Sequence, residues 1–99
     1  MKKLPKSVVL AGRKWDVVLS VCCEDDAGCY GETRADTSTI ILYTAIHERY
    51  KADLRATLFH EMCHAALAST GVNAVLKGGA EEAVVRALEA VLWPALKAI

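Results

Sequence analysis

The chain has no run approaching the roughly 20 uninterrupted apolar residues that a membrane-spanning helix needs, so no transmembrane segment is expected. It begins with lysines but lacks the apolar core of an export leader, because the run Val8–Ala11 is short and Arg13-Lys14 closes it. The expectation is a soluble, cytoplasmic protein. Net charge is also missing: twelve Lys and Arg offset twelve Asp and Glu, which argues against a nucleic-acid partner held by bulk electrostatics. There are no repeats, low-complexity tracts or Pro/Ser-rich linkers, so residues 1–99 read as one small domain. Aromatic residues are scarce, and the 54% apolar content rests mainly on Ala, Val and Leu, enough for a small packed core rather than a disordered chain.

Charge is uneven along the chain. Lys2, Lys3, Lys6, Arg13 and Lys14 crowd the start, and Glu24, Asp25, Asp26, Glu32 and Asp36 follow. Both groups read as solvated surface, and the acidic one lacks the glycine-spaced pattern of a calcium loop. Four cysteines are present. Cys22 and Cys23 are adjacent and cannot easily converge on one ion with Cys29, and no C-x2-C knuckle exists. Together with Cys63 they read as reduced thiols.

The first half of the chain is β-rich. Val8 to Leu10 and Trp15 to Val21 suit two strands joined through Gly12-Arg13 as a hairpin. The polar stretch "EDDAGCYGE" reads as a loop, and "TSTIILY", Thr37 to Tyr43, as a third strand. Ala45 to Ala52 fits either a loop or a first helical turn. From Asp53 the pattern is helical: Asp53 is a good N-cap, no breaker follows until Gly71, and Gly71 suits the position just past a helix end. A second helix is expected from about Ala80, with Glu81 and Glu82 in its favourable first turn. Val84, Val85, Leu88, Val91, Leu92 and Leu96 would form its apolar stripe, and Pro94 would kink or end it near Trp93. The expected fold is therefore α+β: a three-stranded sheet with two helices on one face.

The chemistry concentrates in "TLFHEMCHAAL", Thr57 to Leu67. On a helix, His60 and His64 lie one turn apart on one face, so both rings can aim a nitrogen at one point. A tetrahedral zinc ion with bonds of about 2 Å needs that arrangement. Glu61, rotated by roughly 100°, can flank the point without ligating, as a general base toward water whose pKa the metal lowers. Shuffling the chain's histidines and glutamates would give this pattern in on the order of one chain in a hundred or fewer. The apolar neighbours Leu58, Phe59, Met62, Ala65, Ala66 and Leu67 make coincidence a poorer explanation, because three buried polar groups need a partner.

Two histidines leave a catalytic zinc one protein ligand short. The extended HExxHxxGxxH form is ruled out, since Leu67 and Thr70 stand where it needs Gly and His. Glu82, one turn before Val85 on the apolar stripe, is the preferred third ligand, with Glu81 the alternative. Tyr43, His47 and Tyr50 are candidates to stabilise a transition state over the metal, and Cys63 reads as a small packing residue on a different face from the histidines.

"TLFHEMCHAAL" followed by "EEAVVRALEAVL" resembles the small HExxH zincins of the ImmA/IrrE type and short phage- and prophage-associated metallopeptidase-like proteins. The resemblance covers about Thr37 to Pro94. It implies a gluzincin-like site in which His60, His64 and one of Glu81 or Glu82 bind zinc and Glu61 is the base. It also implies that Thr39 to Tyr43 is an edge strand on which an extended peptide lies antiparallel. The expected function is zinc-dependent hydrolysis of a peptide bond in a peptide or protein substrate. The alternative is a zincin-fold binding or regulatory module with a structural or catalytically weak zinc site.

Overall fold

A computed structural model describes residues 3–22 and 29–99. Cys23 and the acidic run Glu24, Asp25 and Asp26 lie outside the described residues. Among the described residues the fold is α+β, with a mixed sheet of four strands and three α-helices. Strand β1 (Ser7–Leu10) pairs antiparallel with β2 (Arg13–Ser20). Ala11 and Gly12 connect them at φ of 52° and 79°, the two positive φ values that a tight type I′ hairpin requires. The turn thus falls one residue earlier than the expected Gly12-Arg13.

The sheet order is β1-β2-β4-β3, with β3 at Gly31–Arg34 and β4 at Thr39–Tyr43. β4 runs parallel to β2, from Asp16 opposite Thr39 to Ser20 opposite Tyr43. β3 lies antiparallel on the far side of β4, with Gly31 opposite Leu42 and Arg34 opposite Thr39. This corrects two expectations. The sheet has four strands rather than three, because Gly31 and Glu32, placed in a loop by sequence, begin a strand. And β4 is an interior strand; the edges are β1 and β3. "GETR" offers no alternating apolar face, so local propensity does not announce it; pairing with β4 and packing against a helix hold it in place.

Helix α1 (Thr44–Tyr50) resolves the ambiguous segment as a short helix, ended by Lys51 in the left-handed region. Helix α2 (Leu54–Thr70) carries His60, Glu61 and His64. The Asp53 carboxylate accepts from the Arg55 amide at 2.9 Å, satisfying an otherwise unpaired first-turn donor. Gly71 closes the helix at φ 78°, a backbone conformation that costs glycine little.

The core lies between the sheet and α2. Trp15, Ile40 and Leu42 are fully buried, with Leu58 and Ala65 of α2 packed onto them. Trp15 also donates its indole N–H to the Ser69 hydroxyl at 2.9 Å, tying β2 to the end of α2. Truncating Leu58 to alanine in such a core costs about 2–5 kcal/mol.

Helix α3 (Ala80–Lys97) packs mainly against α2 rather than on the sheet itself. Its expected apolar stripe is mostly outside: Val85 is fully buried, whereas Val84, Val91, Leu92 and Leu96 are exposed. Pro94 does not stop the helix near Trp93, which continues to Lys97. Trp93 is held against Phe59 of α2 with ring centroids 5.8 Å apart, and this contact anchors the helix where the proline removes a backbone donor. Among the described residues, no helix is long and apolar enough to cross a membrane.

Candidate metal centre

His60 and His64 turn toward α3, while Leu58, Glu61 and Ala65 turn toward the sheet. The histidines meet α3 in antiparallel order, so the earlier one faces the later part of that helix. His60 Nε2 lies 3.1 Å from Glu82 Oε1, and His64 Nε2 lies 2.9 Å from Glu82 Oε2. One carboxylate therefore spans both ring nitrogens. Ligand atoms of His60, His64 and Glu82 all fall within 4.8 Å of one another, close enough for one ion. Two imidazole nitrogens and one carboxylate oxygen are a donor set that could hold a divalent metal ion.

The two glutamates left open by sequence take different places. Glu82 bridges the Nε2 atoms, whereas Glu81 Oε2 lies 2.5 Å from His64 Nδ1. On the other ring, Glu89 Oε1 lies 2.7 Å from His60 Nδ1. Sequence reasoning did not single out Glu89, although its spacing of seven residues from Glu82 puts the two on one face of α3, two turns apart.

Glu61 is buried beside this cluster rather than within it. The Thr33 hydroxyl of β3 donates to Glu61 Oε1 at 2.8 Å. Burial pushes the Glu61 carboxyl above its ordinary range; the Thr33 hydrogen bond and the charges of His60 and His64 pull it back, and Glu82 adds to the rise. Glu82 moves the other way. Burial raises it, but attraction to His60 and His64 and the hydrogen bonds from Arg86 and His64 outweigh that, and its net shift is downward. The two carboxylates are thus pulled apart, one toward holding a proton and one toward staying charged.

The edge strand comes unusually near. A Cβ at Gly31 would sit 2.9 Å from the Ile41 carbonyl oxygen, 3.1 Å from Thr57 Cγ2 and 3.3 Å from Glu61 Cγ. Glycine is what lets β3 lie against the helix at Glu61. A cleft of about 510 Å³ opens there, bounded by Tyr30 and Gly31 on one side and by His60, Glu82 and Arg86 on the other. A smaller one of about 300 Å³ continues along β3 past Thr33 and Ala35 toward Asn73.

Tyr43, His47 and Tyr50, the expected transition-state candidates, do not line either cleft. Tyr43 donates its hydroxyl to the Glu32 carboxylate. His47 is buried, its Nδ1 2.5 Å from the Tyr43 carbonyl oxygen and its Nε2 2.7 Å from the Thr57 hydroxyl, so it braces α1 against β4 and α2. Tyr50 stands exposed on α1. Besides the histidines and glutamates, the polar side chains that line the larger cleft are Cys29, Tyr30, Thr57 and Arg86, with Arg86 Nε donating to Glu82 Oε1 at 3.2 Å. Cys63 is half-buried, and burial, then the nearby charges of Glu89 and Glu61, push its thiol up.

No family model, curated protein or solved structure matches the chain.

Proposed function

We propose that the chain is a minimal zinc metallopeptidase of the HExxH zincin type, with His60, His64 and Glu82 as ligands and Glu61 as general base. The observation that carries this reading is the convergence of both Nε2 atoms on the single Glu82 carboxylate, with a buried carboxyl of raised pKa beside them. When bound, zinc supplies a Lewis acid for the scissile carbonyl and activates water at neutral pH. Glu61 takes the proton of the attacking water and delivers it to the leaving amine. Thr33 holds the Glu61 carboxylate in place for both transfers. Tyr30 and Arg86, on the wall of the cleft, are the groups available to stabilise negative charge on the substrate oxygen.

The substrate is an extended peptide that adds to the outer edge of β3, the edge strand that borders the metal centre. Antiparallel addition puts the peptide's N-terminal side near Thr33 and Ala35 and its C-terminal side near Tyr30. The exposed apolar side chains Val91, Leu92 and Leu96 favour a second reading, a zinc-bearing module that binds a protein partner without cleaving it. A peptide-library digest separates the two. Zinc-loaded wild type cleaves and zinc-loaded Glu61→Gln does not, if the peptidase reading holds. No cleavage by zinc-loaded wild type favours the binding module.

A further inference from the structure

The two carboxylates that face the histidines from behind have no role in the mechanism above. We infer that Glu89 and Glu81 are positioning residues of the metal centre, each holding one histidine ring by its Nδ1 so that Nε2 is presented to the ion. The proposal rests on the metal-binding part of the preceding reading and is independent of whether the chain cleaves peptides.

The case is geometric. Glu89 takes Nδ1 of His60 at 2.7 Å, and Glu81 takes Nδ1 of His64 at 2.5 Å. In both rings the remaining nitrogen is Nε2, and both Nε2 atoms face Glu82. Each ring thus has both of its nitrogens taken, Nε2 on the shared carboxylate and Nδ1 on a carboxylate of its own. A carboxylate on Nδ1 fixes the tautomer with Nδ1 protonated, stops the ring from rotating and makes Nε2 a more basic ligand. The three carboxylates come from one helix, at spacings that put Glu82 between the two histidines and its companions outside them. Charge supports the same assignment: among the described residues, Arg86 and the two imidazoles are the cationic groups paired with Glu81, Glu82 and Glu89, and a divalent ion together with Arg86 would balance the three carboxylates.

The obvious bland explanation is that these are ordinary ion pairs on the helix surface, which contribute little. The two readings differ in what removal does to metal affinity. The test strips the full chain of metal and titrates zinc against a chromophoric chelator for wild type, Glu89→Ala, Glu89→Gln, Glu81→Ala and Glu81→Gln. Each alanine variant is expected to bind zinc about 10- to 100-fold more weakly, and each glutamine, whose amide oxygen still accepts from Nδ1–H, to recover most of the loss. With cobalt in place of zinc, the visible absorption of each variant should keep the intensity of wild type, because His60, His64 and Glu82 still ligate.

A dissociation constant unchanged within about twofold in both alanine variants overturns the proposal while leaving the metal site intact. Loss of the cobalt absorption also overturns it, by making the altered glutamate a ligand. Wild type that binds no zinc overturns both this proposal and the function it rests on. Should the alanine variants fail to fold, zinc-loaded wild type labelled with 15N decides the matter. Beside the Nδ1–H signal of buried His47, which bonds the Tyr43 carbonyl, two further slowly exchanging, strongly deshielded Nδ1–H signals assigned to His60 and His64 are expected, and the absence of these two overturns the proposal.

Discussion

Thr33 and Glu61 join the edge strand to the helix that carries both histidines: the Thr33 hydroxyl donates to Glu61 Oε1 at 2.8 Å and lies 3.1 Å from the Glu61 carbonyl oxygen. That contact lowers the Glu61 pKa against the rise caused by burial. Replacing Thr33 with valine removes the donor while keeping the shape, so the carboxyl should hold its proton to higher pH. In a peptidase that needs Glu61 ionised, the acidic limb of the pH profile of kcat/KM then moves to higher pH. A profile superimposable on wild type contradicts the assignment of Glu61 as the base.

Glu61→Gln should lower kcat/KM about a hundredfold to ten-thousandfold, the usual worth of a general base, while zinc still binds one per chain. It should also stabilise the metal-free protein. The folded-state carboxyl titrates above its ordinary value of 4.5, so the stability that goes with its protonated form is complete below that pH and is lost as pH rises through the raised value. Glutamine carries no such loss. Metal-free Glu61→Gln should therefore melt higher than metal-free wild type at about pH 7, with the gap closing below about pH 4.5. Thermal melts across that range check it, and a gap independent of pH contradicts it.

Gly31 has no room for a side chain. A methyl group there meets the Ile41 carbonyl oxygen at 2.9 Å and crowds Thr57 and Glu61. Gly31→Ala should cost about 1–3 kcal/mol, the range for forcing an extra carbon into packed structure, seen as a lowered midpoint in urea. An unchanged midpoint shows that β3 does not lie against α2 at this residue.

His47 should behave unlike the other two histidines. Its ring is buried and bonded to the Tyr43 carbonyl and the Thr57 hydroxyl, behind the wall of the larger cleft rather than lining it. His47→Ala should destabilise the chain by about 1–3 kcal/mol, the cost of leaving buried polar groups unpaired, and leave zinc affinity within about twofold of wild type. A large loss of affinity in a variant that still folds places His47 in the metal site instead.

What could be read before the structure, and what could not, follows from the range of the signals. The i, i+4 spacing of His60 and His64 is a local property of one helix, and Asp53 and Gly71 mark the ends of that helix by side-chain and backbone chemistry that act over two or three residues. Glu82 was within reach because its spacing from Val85 ties it to the buried point of α3. Strand β3 was not, because Gly31, Glu32, Thr33 and Arg34 carry no apolar alternation and are placed by β4 and α2. The same blindness hid Thr33 and Glu89, whose contacts cross 28 and 29 residues of sequence. The stripe on α3 misled in the other direction. Apolar spacing marks a face, but only a neighbour buries it, and past Val85 the valines and leucines at 91, 92 and 96 are left exposed.

The most direct measurement is metal stoichiometry by elemental analysis and calorimetry on wild type, His60→Ala, His64→Ala and Glu82→Ala. Wild type should hold one zinc per chain and melt higher when loaded, by about 4 kcal/mol of added stability at a thousandfold excess over Kd. The three alanine variants should lose that ion and that stabilisation. Wild type with no stoichiometric metal, or undiminished binding in Glu82→Ala, contradicts the site.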